Sequence, residues 1–214
     1  MTRHLRIGIA GLGTVGLGVL NILTMHEGML EARAGCRLTV KAVTARDRHR
    51  DRGVDLNKYT WFDNAVDMAA SEEIDIVVEL MGGADGVAKD FAETAIAAGK
   101  HLITANKALI ALHGSSLACA AEEVGVTLGY EAAVAGGVPI VKVLREGLAA
   151  NRVDRIYGIL NGTCNYILTA MAHSGRDFQD VLKEAQSLGY AEEDPSFDID
   201  GIDTAHKLSI LACL

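Results

Sequence analysis

Leu5-Arg6-Ile7-Gly8-Ile9-Ala10-Gly11-Leu12-Gly13-Thr14-Val15-Gly16 is the stretch on which the fold turns. Leu5–Ala10 reads as a strand. Gly11, Gly13 and Gly16 follow in the spacing G-x-G-x-x-G. Each glycine answers a separate steric demand. Gly11 permits a tight turn, Gly13 lets a pyrophosphate approach the backbone, and Gly16 lets a helix lie close to the strand. Val15–His26 supplies that helix, with Val15, Val19, Leu20, Ile22 and Leu23 at helical spacing. Its first unpaired N–H groups, around Thr14 and Val15, and its positive dipole end suit an anion. Leu38–Thr44 reads as a second strand. Strand, glycine turn, helix and strand form the context that gives the motif weight, and they point to a bound dinucleotide.

The same rhythm continues outward. Ile74–Leu80 is an apolar run closed by Gly82-Gly83, as expected of a parallel strand buried on both faces. Val87–Ala98 reads as a helix, His101–Thr104 as a strand, Ser115–Val124 as a helix and Val126–Tyr130 as a strand. This alternation predicts an α/β fold, a Rossmann-type doubly wound parallel sheet over residues 1–133. After Glu131 the rhythm changes. A loop of small residues, Ala132–Pro139, leads to a helix over Ile140–Ala149 and a strand over Arg152–Leu160. From Gly162 the pattern is mostly helical, with turns at Ser174-Gly175 and Leu188-Gly189. Residues 134–214 are read as the beginning of a second, α+β domain. Its last helix, from Ile202 to Leu214, carries no Gly, Asn or Pro stop signal, so the chain is read as truncated.

Composition excludes several classes. With 214 residues, half of them hydrophobic and 22% charged, the chain is globular rather than disordered. A net charge of −8 argues against a nucleic-acid partner. No run of about 20 apolar residues is present, so no membrane span is expected. The first residues are too short and too interrupted for a signal-peptide core, which makes a cytoplasmic location the expectation. Cys36, Cys119, Cys164 and Cys213 are widely spaced with no C-x-x-C pair, so neither a zinc pair nor a dithiol site is suggested.

Past the second strand the chain reads Val43-Thr44-Ala45-Arg46-Asp47. An acid here would meet the ribose 2′-hydroxyl of NAD, and an arginine the 2′-phosphate of NADP. Arg46 favours NADP, and Asp47 beside it keeps NAD open. Arg48, Arg50 and Arg52 read as ordinary solvated charges. Thr104-Ala105-Asn106-Lys107 follows a strand directly, at the sheet edge where open α/β folds bind ligands. Gly82, Asn106 and Lys107 are expected on the cofactor side of that edge. Further on, Gly189-Tyr190-Ala191-Glu192 leads to Asp198, Asp200, Asp203 and Lys207. Asp203 and Lys207 stand at i, i+4 and share a helix face. By pattern alone this is equally an acidic loop with a surface ion pair.

Together these segments resemble homoserine dehydrogenases. The resemblance is carried by Gly11–Gly16, Thr104–Lys107, Glu131–Pro139, Gly158–Leu168 and the stretch from Gly189 to Lys207. It implies interconversion of L-aspartate 4-semialdehyde and L-homoserine with NAD(P)H, on the route to threonine, isoleucine and methionine. It implies Lys207 as proton donor and Lys107 as the catalytic lysine on the cofactor side. It places Gly189 and Glu192 at the cofactor–substrate junction, Gly189 toward the cofactor, and Thr163, Tyr190, Glu192, Asp198 and Asp203 around the substrate. Glu131, Val134, Gly136 and Val138 match a loop that holds a monovalent cation, so sodium is a candidate ligand. The resemblance also implies a homodimer formed through the second domain, here present only in part. Two other readings stand beside it: a phosphorylating semialdehyde dehydrogenase with Cys164 as nucleophile, and an NADP-binding fragment without catalysis. No motif pairs Cys164 with a histidine, which weakens the first.

Overall fold

Ile7–Ala10 is buried from end to end, and a strand so enclosed needs neighbours on both sides. The structure, a computed structural model, describes residues 3–214. Strands β1 (Arg3–Ala10), β2 (Cys36–Thr44), β3 (Thr60–Trp61), β4 (Ile76–Glu79), β5 (His101–Thr104) and β6 (Leu128–Gly129) form one sheet. Their order is β3-β2-β1-β4-β5-β6, and every adjacent pair is parallel. The chain's direction across the sheet reverses between β1 and β4, which makes the carboxyl ends of these two strands the switch point where such folds bind ligands. The last ladder register there is a transverse row, Thr44–Ala10–Glu79–Thr104. All four of its residues are at most 3% exposed.

Helices α1 (Thr14–Met25) and α2 (Glu27–Ala34) pack toward β2, whereas α3 (Ala65–Ala70), α4 (Val87–Ala97) and α5 (Lys107–Val124) pack side by side. Ile7, Ile9, Leu12, Leu20, Val43 and Val78 form a core cluster beneath the glycine turn. Full burial of each such aliphatic side chain contributes about 1.5–3 kcal/mol.

The chain divides into two compact units, Met1–Gly137 and Val138–Leu214, against an expected join at 133/134. The second unit, among the described residues, is helical. It contains α6 (Ile140–Lys142), which widens into a π turn over Val143–Gly147, then α7 (Gly162–Ser174), α8 (Phe178–Ser187), α9 (Ser196–Ile199) and α10 (Ile202–Ala212). Its core is Ile167, Val181, Ala185 and Ala191, with Tyr166, Phe178 and Leu182 packed against them. Asn161 caps α7 by accepting from the Cys164 N–H at 2.7 Å, and Asp177 caps α8 by accepting from the Asp180 N–H at 3.0 Å.

Several sequence expectations are corrected. Arg152–Leu160 forms no strand pairing among the described residues. β-rich composition is not sufficient, because a strand exists only where a neighbour takes its N–H and C=O groups. The helix expected over Ile140–Ala149 gives way to the π turn after Lys142. α5 starts at Lys107 rather than Ser115, because Asn106 caps it. The strand expected over Val126–Tyr130 shrinks to Leu128–Gly129, and α2, β3 and α3 were not expected. No helix among the described residues is long and apolar enough to cross a membrane.

Candidate cofactor and substrate sites

A cavity of about 730 Å³ opens at the carboxyl ends of β1, β2 and β4. Gly11, Gly13, Arg46 and Gly82 line it, together with Leu12, Leu80, Met81, Gly83, Asp47, Arg50 and Arg52. Gly11 has φ +100, and its N–H donates to the Thr44 carbonyl at 2.9 Å. A Cβ on Gly11 would lie 2.4 Å from the Leu80 carbonyl oxygen, and one on Gly16 would lie 1.9 Å from the Gly11 oxygen. Neither position accepts a side chain. A Cβ on Gly13 would meet nothing within 4 Å, so the cavity reaches its bare backbone. This cradle fits a pyrophosphate approaching the start of α1. Thr14, Val15 and Gly16 open α1 just outside the lining.

The arginine-rich loop departs from its sequence reading. Arg52 is half-buried and turned inward. It donates to the Leu12 carbonyl at 3.3 Å, the Asp47 carbonyl at 2.6 Å and the Arg50 carbonyl at 2.9 Å. It therefore braces the glycine turn against the loop after β2. Arg48 and Arg52 also lie 5.8 Å and 6.0 Å from the Trp61 ring. Arg46 and Arg50 remain exposed on the cavity wall. Asp47 accepts from the His49 N–H at 2.8 Å, which commits one carboxylate oxygen to its own turn.

The opposite wall is held from beneath by a residue the sequence reading passed over. Glu79, fully buried, accepts from the Met81 N–H at 2.7 Å, the Gly82 N–H at 3.2 Å and the Thr104 hydroxyl at 2.6 Å. Thr104 in turn accepts from the Asn106 N–H at 2.9 Å. Asn106 spends both ends of its amide internally, donating to the Gly83 carbonyl at 2.6 Å and accepting from the Leu109 N–H at 3.1 Å. Asn106 is thus a strut and not part of the cavity lining. Lys107, half-buried, is the first residue of α5. The sequence signal for Glu79 is a lone acid inside an apolar strand, Ile76-Val77-Val78-Glu79-Leu80.

The second unit has its own cavity of about 480 Å³, lined by Asn161, Gly162, Thr163, Tyr166, Gly189, Tyr190, Asp198, Asp203 and Lys207. Lys207 donates to Asp203 at 2.7 Å and to the Leu160 carbonyl at 2.8 Å. The Asn161 amide donates to Asp203 at 2.9 Å and to Asp198 at 2.7 Å. The Thr163 hydroxyl stands 2.9 Å from the Asp198 carboxylate and 2.8 Å from the Tyr190 carbonyl. Asp203 is 2% exposed, so the expected surface ion pair is in fact mostly buried. Glu192 lies outside the lining, and its carbonyl accepts from Gln186 at 3.1 Å. Gly189, expected at the cofactor–substrate junction, lines this cavity.

Cys164 donates to the Asp198 carbonyl at 3.3 Å. Burial, and then the charges of Asp198 and Asp203, push its thiol pKa up. A nucleophilic cysteine needs the opposite shift. Glu131 opens a short turn, Val134 is buried, and Ala135 and Gly137 adopt φ +48 and +94; Val138 falls in the second unit. No cluster of three or more His, Cys, Asp or Glu side chains suited to a metal occurs among the described residues.

A six-stranded 3-2-1-4-5-6 sheet with a glycine cradle, followed by a unit holding a buried acid–lysine site, defines a Rossmann-type dinucleotide-binding chain with an appended polar site. Residues 11–131 match the family model of the homoserine dehydrogenase NAD binding domain, and residues 139–214 match that of homoserine dehydrogenase. The chain belongs to the homoserine dehydrogenase family, a family of NAD(P)-dependent oxidoreductases. It is 49% identical to a homoserine dehydrogenase of Pseudomonas aeruginosa, covering 99% of this chain and 48% of the relative. Among solved structures it is similar to a homoserine dehydrogenase from Thiobacillus denitrificans, with TM-score 0.92, 47% identity, and coverage of 99% of this chain and 49% of that one. It is also similar to a hyperthermophilic archaeal homoserine dehydrogenase in complex with NADPH, with TM-score 0.84, 30% identity, and coverage of 97% and 68%. The chain spans about half the length of the curated relatives it matches.

Proposed function

We propose that this chain carries the cofactor-binding part and a substrate-binding part of an enzyme that interconverts L-aspartate 4-semialdehyde and L-homoserine. The observation that carries the reading is the gathering of Asn161, Thr163, Asp198, Asp203 and Lys207 around one cavity in a chain of this family. The substrate is a zwitterion with an aldehyde at its far end. Asp198 supplies negative charge for its ammonium group, held in place by Asn161 and Thr163. Lys207 gives one hydrogen to Leu160 and one to Asp203. Its third is directed to the aldehyde oxygen, where charge develops during reduction. A bound nicotinamide supplies the hydride. Lys107 acts on the cofactor side of the same proposal.

Arg46 and Arg50 on the cavity wall support NADP over NAD, since two guanidinium groups match a 2′-phosphate. A monovalent cation on main-chain oxygens of the 131–138 turn is part of the reading, tested by replacing sodium with choline in the assay. So is a cytoplasmic homodimer, tested by cell fractionation and sedimentation. The raised thiol pKa of Cys164 speaks against the phosphorylating alternative.

The test is NADPH oxidation with aspartate semialdehyde by the intact protein and by Lys207→Ala. Turnover should fall by about a hundredfold or more in the variant. Near-normal turnover would reject Lys207, and phosphate-dependent reduction of NADP+ by the same aldehyde would reject the reaction class.

A further inference from the structure

Glu79 is 0% exposed, and a carboxylate in a core is costly unless its oxygens are satisfied. Its partners come from the loop after β4, which lines the cofactor cavity, and from the end of β5, which lies behind that lining. Oε1 takes the Met81 and Gly82 N–H groups, and Oε2 takes the Thr104 hydroxyl. Through Thr104 the connection passes to the Asn106 N–H, and Asn106 then grips Gly83 and caps α5. Met81–Gly83 has no sheet ladder to fix it, and Gly82 and Gly83 both stand at positive φ, +79 and +85. Side-chain acceptors and donors therefore set its shape. The adjoining Leu80 carbonyl lies so close to the glycine turn that Gly11 tolerates no Cβ. Displacing this wall would change the cleft facing Gly11 and Gly13.

We propose that Glu79, acting through Thr104 and Asn106, is a positioning residue that presets the Met81–Gly83 wall of the nucleotide cleft and the origin of α5. The proposal rests on the reading that this cleft takes a nicotinamide dinucleotide. Thr104→Val is nearly isosteric and removes the hydroxyl that links Glu79 to Asn106. Glu79→Gln keeps an acceptor for Met81 and Gly82 and can donate to the Thr104 hydroxyl, so it is the conservative rescue of Glu79→Leu.

NADPH binding by the whole chain is measured by nucleotide fluorescence titration, alongside the Tm of each nucleotide-free variant. The Kd should rise about tenfold in Thr104→Val and Glu79→Leu and stay within about twofold in Glu79→Gln. A lowered Tm with unchanged Kd in Thr104→Val would overturn the proposal, as would equal losses in Glu79→Gln and Glu79→Leu. If Glu79→Leu does not fold, Thr104→Val decides alone. Wild-type protein that binds neither NADPH nor NADH would bring down the cofactor reading, and this proposal with it. Wild-type binding with unperturbed variants would bring down the positioning role alone.

Discussion

A guanidinium can face water, a ligand or its own backbone, and the arginines after β2 divide along those lines. Arg52 turns back to three carbonyls, whereas Arg46 lines the cavity exposed. Arg46→Ala should therefore lower the NADPH-to-NADH efficiency ratio by about tenfold, the effect of one lost charge-assisted contact, in paired kinetic assays. An unchanged ratio would exclude Arg46 from cofactor choice. Sequence order put Arg46 on the cavity wall because the carboxyl ends of β1 and β2 lie side by side. It misjudged Arg52, because a run of alternating arginines does not say which of them bends inward. Glu79 was hidden for a related reason. The lone acid in Ile76–Leu80 is visible in the sequence, but its task is not, because its donors come from β5 and from the loop after β4.

At the scale of elements, end signals decide more than composition does. Asp177 accepts from the Asp180 N–H and so starts α8, whose Val181 and Ala185 face the second unit's core. Asp177→Ala should cost about 1 kcal/mol, read as a shift in the denaturation midpoint at constant slope. Asn106 does the same for α5, which is why that helix begins at Lys107 and not at Ser115. The glycine turn, β1, β2, β4 and β5 were legible because their apolar runs and punctuation are local. β3 is only two residues long, and α3 six, so neither shows a period. Arg152–Leu160 has strand composition but no pairing strand among the described residues. No local pattern reports whether a partner exists.

Across the whole molecule, charge is placed at both ends of the sheet. At the end away from the cofactor cavity, Arg6 makes a two-point contact with Asp75, at 2.8 and 3.0 Å, and the Arg6 N–H adds a third bond at 2.8 Å. The Arg6 guanidinium holds the Asp75 carboxyl below the usual carboxylate range. A lowered folded-state pKa adds stability above the ordinary pKa of about 3.9 and loses it as pH falls through the lowered value. Asp75→Asn should thus have a lower Tm than wild type near neutrality. The gap should close only below about pH 4, as followed by circular dichroism melts.

The segment from Arg152 ends on Leu160, whose carbonyl receives a hydrogen from Lys207. One bond thus joins a run of backbone with neither helix nor strand to the ammonium proposed as proton donor. A free-energy coupling of this kind runs both ways. Whatever fixes the 152–160 backbone also narrows the orientations open to Lys207. Conversely, a ligand that draws Lys207 toward itself changes how firmly Leu160 is held. In this unit the freedom of the Lys207 ammonium and the order of that backbone thus meet in one contact.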